Sequence, residues 1–172
     1  HELRITNAVA GAIIGLNDIS NSNLGLTGSG EKISYTDTGI DQDHPDLAGR
    51  VAGVYTQFGL DPSPADSNGG HGTHIAITIA GSGTGDSSAM GIAPDALIDA
   101  YALEHDPTGV FGRIGSIYDM LNHAEQEGSR ISVNAWGLNG NYGAYTGDSR
   151  SVDVFVKDNS DFLPVFSAGD AP

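Results

Sequence analysis

Short apolar runs rich in β-branched residues alternate along this chain with longer stretches of helical spacing, and few architectures accommodate that order. Lys32 to Thr36, Val51 to Tyr55, Leu97 to Leu103, Ile131 to Trp136 and Phe162 to Ser167 read as strands. Ile114 to Gln126 reads as an amphipathic helix closed by Gly128, and Ser151 to Lys157 as another, with Asp148 and Ser149 as capping candidates. Gly72 to Ala80 stays ambiguous, because periodicity alone does not separate a buried strand from a helix segment. Strands alternating with helices predict an α/β fold around a mainly parallel sheet. Val51 to Tyr55 is expected beside Lys32 to Thr36. Residues 1–24 form an N-terminal extension with one helix, about Ala8 to Leu16. The length of 172 residues suffices for one domain with a substantial core. In open sheets of this kind ligands bind beyond the carboxyl ends of the strands, so the strand exits are where chemistry is expected.

Charge narrows the partners. Against 22 Asp and Glu stand 7 Lys and Arg, a net charge of −15 that repels nucleic-acid phosphates and anionic lipid. No apolar run approaches the roughly 18 residues that a spanning helix needs. The acidic excess is mostly Asp, with Lys only at Lys32 and Lys157, which suits either a saline extracellular medium or an ordinary acidic secreted protein. Cysteine is absent, so disulfides, zinc–thiolate sites and a cysteine nucleophile are excluded. His1 opens the chain without an initiator Met or an apolar leader, which reads as a processed product or an engineered piece.

Three segments carry polar groups where chemistry is expected. The first run continues as Asp37-Thr38-Gly39-Ile40-Asp41, placing a carboxylate at its exit; Asp37 could cap its own turn or hold an imidazole. In Asn68-Gly69-Gly70-His71-Gly72-Thr73-His74, His71 is flanked by glycines that let backbone or substrate approach. His71 and His74 could share a metal, but the Glu and the four-residue spacing of zinc hydrolases are missing; the other reading is a catalytic imidazole at His71 with His74 buried in a helix. Val165-Phe166-Ser167-Ala168-Gly169-Asp170 leaves its strand through small residues, either as an ordinary turn or as a wall with room for a substrate side chain.

Taken together, the Asp37 segment, the His71 segment and the Ser167–Asp170 exit, in that order and separated by strand–helix units, closely resemble the subtilisin-like serine proteases, the subtilases of peptidase family S8. Asp41-Gln42-Asp43-His44-Pro45-Asp46-Leu47, Ile75 to Gly81 and Gly91-Ile92-Ala93-Pro94 extend the likeness. Asn134-Ala135-Trp136-Gly137 and Gly143 to Asp153 are similar to the oxidatively stable alkaline protease branch. The resemblance spans about residue 25 to the end. It implies a three-layer subtilisin-like fold of which residues 1–172 form the N-terminal part, and a secreted endopeptidase working through an acyl-enzyme. By position, Asp37 becomes the triad carboxylate, His71 the general base and Asp170 the oxyanion-hole position. Ala135, Trp136 and Gly137 match the edge that pairs with substrate backbone, Gly109, Val110 and Phe111 the opposing strand, and Ser167, Ala168 and Gly169 a wall of the primary specificity pocket.

Departures from the pattern shape the remaining expectations. The Gly-Thr-Ser-Met-Ala segment that carries the subtilase nucleophile does not occur among residues 1–172, and Ser149 precedes a predicted helix without the glycines a nucleophile there needs. The serine is therefore expected on a C-terminal polypeptide of the same precursor, produced by autoprocessing, and this chain alone is expected to be inactive. Peptide or protein substrates and a propeptide are the further partners. An inactive peptide-binding module, or an isolated fragment, is the alternative. Asp170 stands where the family has an Asn; an ionised carboxylate repels an oxyanion, and loss of such a donor costs about 10² to 10³ in rate, unless burial keeps the acid protonated. Ile77 replaces a Gly, and Ala135 a Ser. Catalysis needs no cofactor, while the family leads one to expect a structural calcium ion with Asp46 as a ligand; Asp61, Asp66 and Asp86 read as a solvated acidic surface.

Overall fold

The computed structural model describes residues 10–11, 13–16, 25–137, 140 and 143–169. In chain order the elements are β1 (Lys32–Asp37), β2 (Val51–Tyr55), α1 (His71–Ala80), β3 (Leu97–Ala102), β4 (Glu104–His105), β5 (Val110–Phe111), α2 (Ile117–Gln126), β6 (Ile131–Asn134), α3 (Gly147–Asp158) and β7 (Leu163–Phe166). Helical residues also occur at Ala10, Gly11, Ile13 and Leu16, within the expected N-terminal helix.

Five strands form one parallel sheet in the order β2-β3-β1-β6-β7, and β4 and β5 form a small antiparallel pair. The expected neighbour of β1 is thus corrected: β3 lies between β1 and β2. Ile98 and Ala100 of β3 are completely enclosed, as a central strand requires, whereas every residue of β2 keeps some exposure, as suits an edge. Helix α1 covers one face through Ala76, Ile79 and Ala80, which pack with Tyr35, Ile98 and Ala100. Helices α2 and α3 cover the other, where Met120, Leu121 and Phe155 meet Tyr101, Leu103 and Phe162. Helix, sheet and helix give the three layers expected.

Local chemistry sets the helix limits and shifts two of them from the sequence reading. Gly115 turns the chain at φ 78°, and Ser116 accepts the Asp119 amide, so α2 begins at Ile117 rather than Ile114. Thr146 caps α3, with its side chain taking the Ser149 amide and the Ser149 hydroxyl taking the Thr146 amide. Helix α3 therefore begins at Gly147, not Ser151, and Ser149 is spent on the cap. The ambiguous Gly72–Ala80 run is helical. The strands stop at Asn134 and Phe166, earlier than expected at Trp136 and Ser167.

Strand β1 is followed in sequence by neighbours on one side and joined later by β6 on the other, so the connection order reverses at β1. Its exit is the topological switch point, where open α/β sheets form their crevice. Register brings Thr36 level with Asn134, and Asn134 level with Phe166. The exits carrying Asp37, Ala135 and Ser167 thus open on the same edge of the sheet.

Candidate active site

Asp37 ends β1 and is buried, and His71 opens α1 with its side chain 54% exposed. The imidazole Nδ1 lies 2.7 Å from Asp37 Oδ1. An ionised carboxylate only accepts hydrogen bonds, so Nδ1 carries the ring proton and the Nε2 lone pair is left available as a base. The same Oδ1 accepts the Thr38 amide at 2.8 Å, so Asp37 holds both its own turn and the ring. Asp37 Oδ2 is buried without a hydrogen-bond partner among the described residues.

The helix that carries His71 has no side chain capping it from Gly70, whose φ of 72° is left-handed. Asp66 and Thr38 supply the cap from outside the helix. Asp66 Oδ2 accepts the Thr73 amide at 2.7 Å, and Thr38 Oγ1 accepts the Gly72 amide at 2.9 Å while donating its own proton to Asp66 Oδ1 at 2.7 Å. A carboxylate beside the first helical amides also meets the positive end of the helix dipole. Close approach completes the junction: a Cβ on Gly72 would sit 2.2 Å from the Gly39 oxygen, so only glycine lets the helix start lie against the β1 exit. Sequence reading missed this bracket, because Asp66 acts across a fold contact with no local spacing to announce it. It corrects Asp66 from surface charge to helix cap; Asp86 likewise caps the 3₁₀ turn Ser87–Ala89.

His74, expected to be buried, is exposed, because the covered positions of α1 are Thr73, Ala76, Ile79 and Ala80. Among the described residues no group of three or more His, Asp or Glu side chains assembles for a metal. Asp46, the expected calcium ligand, is nearly buried, and its Oδ1 accepts the Thr84 amide at 2.6 Å, the Ser82 hydroxyl at 3.3 Å and the Gly85 amide at 3.4 Å. These bonds tie the loop after α1 to the 3₁₀ turn Pro45–Leu47.

Of the substrate-edge residues, Phe111, Trp136 and Gly137 line one hollow, and Trp136, Gly137 and Ser167 line a second that shares the Trp136 wall. Val110 and Phe111 form β5, exposed and paired with His105 and Glu104, and Gly109 turns into it at φ 67°. Trp136 lies between Phe111 and Phe166, with ring centroids 6.0 and 5.7 Å away. Ser167 joins the two exits, its amide donating to Asn134 O at 3.1 Å and its hydroxyl to Trp136 O at 3.3 Å. Ala135 is half-buried; Gly137, Ala168 and Gly169 are exposed. Asp170 lies outside the described residues.

Comparison with known proteins matches this geometry. The subtilase family profile matches residues 28–172. The chain is 36% identical to thermitase of Thermoactinomyces vulgaris over 118 residues, 67% of this chain and 41% of that protein. It is 32% identical over 169 residues to a thermostable alkaline protease of Halalkalibacterium halodurans, covering 98% of this chain and 43% of the relative. A cold-adapted subtilisin-like serine proteinase superposes with a TM-score of 0.55 at 27% identity, over 85% of this chain and 48% of that one. The chain thus spans less than half the length of these relatives. With the family match running from the glycine turn before β1 through both strand exits and the helix that carries His71, this chain belongs to the subtilase family.

Proposed function

We propose that this chain is the Asp- and His-bearing part of a secreted serine endopeptidase, and the observation that carries the reading is the 2.7 Å bond from His71 Nδ1 to buried Asp37. A ring held in that tautomer presents Nε2 to take the proton of a serine hydroxyl as it attacks the scissile carbonyl, and Asp37 stabilises the imidazolium that results. The same imidazolium then gives its proton to the leaving amine, and water repeats the cycle on the acyl-enzyme. The serine comes from further polypeptide of the same precursor, a reading supported by the share of the relatives that this chain spans. The extended edges at Gly109–Phe111 and Ala135–Gly137 take substrate backbone between them, and Ser167, Ala168 and Gly169 face one of its side chains. A propeptide would use the same edges. Asp170 stands at the oxyanion position and weakens the enzyme while ionised.

Asp170 also favours a second reading, a subtilase-like module that binds extended peptides without cleaving them. Intact mass spectrometry of the native protein with a fluorophosphonate probe separates the two. A co-purifying polypeptide that takes the label on serine supports the protease. A partner that stays unlabelled at every pH supports the binding module, and absence of any partner overturns the two-piece enzyme.

A further inference from the structure

The hollow beside Trp136 has a wall made by an ion pair. It measures about 480 Å³, with Leu103, Phe111 and Trp136 as its apolar sides, and both Arg113 and Asp148 line it. Arg113 follows β5 by two residues; its Nη2 donates to Asp148 Oδ1 in the first turn of α3, and its Nη1 to the Gly115 oxygen. The two side chains are 18% and 40% exposed, so water screens the pair only in part. Among the described residues no other side-chain hydrogen bond joins the β5 loop to α3. Phe111 is itself 37% exposed and belongs to a two-residue strand, whose backbone is held by pairing with Glu104 and by the Gly112 amide on Leu103 O, while its ring faces Trp136. Trp136 Nε1 is buried without a partner among the described residues, leaving a donor on the same ring unused.

We propose that Arg113 and Asp148 form a latch that positions β5 against α3 and so sets how closely an apolar peptide side chain fits between Phe111 and Trp136. This rests on the peptide-binding part of the proposed function, not on hydrolysis. Arg113 is a positioning residue: it acts through the placement of Phe111. An ordered pair costs side-chain freedom and repays little at the surface, so in a chain with so few cations its place across this hollow is better explained by geometry than by stability. Its fork of donors suits it to bridge Asp148 and a carbonyl at once.

The chain's single tryptophan is Trp136, which makes the test direct. N-acetylated tetra-alanine amides with one Phe moved through the four positions are titrated against the 172-residue chain, reading Trp136 emission. For one position the Phe peptide is expected to bind about fivefold or more tightly than all-Ala, with that preference shrinking in 1 M salt, where the Debye length is about 3 Å. Arg113→Gln and Asp148→Asn should each bring the ratio close to one, and the exchanged pair R113D/D148R should restore it with an unchanged melting temperature. A preference that persists in both single variants overturns the latch alone. Loss in the single variants without rescue by the exchange also overturns it, since packing rather than pairing then explains the effect. If no peptide binds the wild-type chain, the substrate-edge reading falls together with the latch.

Discussion

Asp37 and His71 are 34 positions apart and reach one another because a strand exit and a helix start converge on two glycines. The carboxylate is buried, the ring is open, and that asymmetry is what a base needs: a fixed tautomer on one side and access on the other. In the completed enzyme, Asp37→Asn should lower kcat about 10⁴-fold while the fold is kept, because an amide can leave the ring in the wrong tautomer; steady-state kinetics beside a thermal melt checks both halves. Asp170→Asn should move activity the other way, raising kcat at neutral pH by about 10²-fold, as a neutral amide donates where a carboxylate repels. A second buried carboxylate predicts pH behaviour. Asp99 is enclosed in β3, 3.1 Å from the Lys32 ammonium, and burial raises its pKa above the ordinary 3.8 despite that partner. The folded chain then holds a proton that the unfolded chain has released. Stability falls as pH rises from 3.8 through the raised folded value, and Asp99→Asn should flatten that part of a stability–pH profile measured by urea unfolding. Both site residues were legible as candidates because their signatures, Asp37-Thr38-Gly39 and Gly70-His71-Gly72, are local; that the two side chains meet is the structure's contribution. Asp66 and Thr38 were not legible, since Thr38 reaches the Gly72 amide from 34 positions away and Asp66, seven residues before Thr73, matches no cap spacing.

Helix α1 shows how an element can be specified from outside itself. Its sequence, rich in Ile and Thr, has weak helical preference and left the segment undecided. Tertiary contacts resolve it: the Asp66–Thr38 bracket caps the first turn, and Tyr35, Ile98 and Ala100 receive its apolar side. Asp66→Ala should therefore cost about 1–2 kcal/mol, read as a lowered urea midpoint, and should loosen His71 more than the distant α2, read by hydrogen exchange at the amides of residues 72 and 73. Helices α2 and α3 were readable as elements but not at their starts. Position 115 demands a left-handed backbone, and the Thr146–Ser149 reciprocal cap starts α3 at Gly147 in place of the expected start at Ser151 behind Asp148 and Ser149; both outcomes depend on backbone angles and cap bonds rather than hydrophobic spacing.

At the scale of the molecule, the sheet runs β2-β3-β1-β6-β7 and leaves apolar side chains uncovered on its last strands. Leu163 is 58% exposed, with Ile131 beside it in register and Val165 further along the same face. Contiguous exposed apolar surface marks a place for a partner, and the unpaired edge of β7 offers a strand ladder beside it. The chain alone should enhance the emission of a hydrophobic dye, and addition of the proposed serine-bearing polypeptide should quench that signal; Val165→Lys should weaken the association while leaving the far-ultraviolet circular dichroism of this chain unchanged. Alternation of apolar runs and helical spacing was sufficient for the α/β class and the parallel sheet, because those follow from local periods, while the family resemblance supplied the three layers. The acidic excess and absent cysteine likewise narrowed partners before any contact was known. Strand order, the exposed side of His74, the helix cap made by Asp66, the occupation of Asp46 by loop amides and the Arg113–Asp148 wall were decided by the tertiary structure alone. Most are meetings of groups far apart in the chain, and hydrophobic period records apolar spacing without recording which partner a residue finds in the fold.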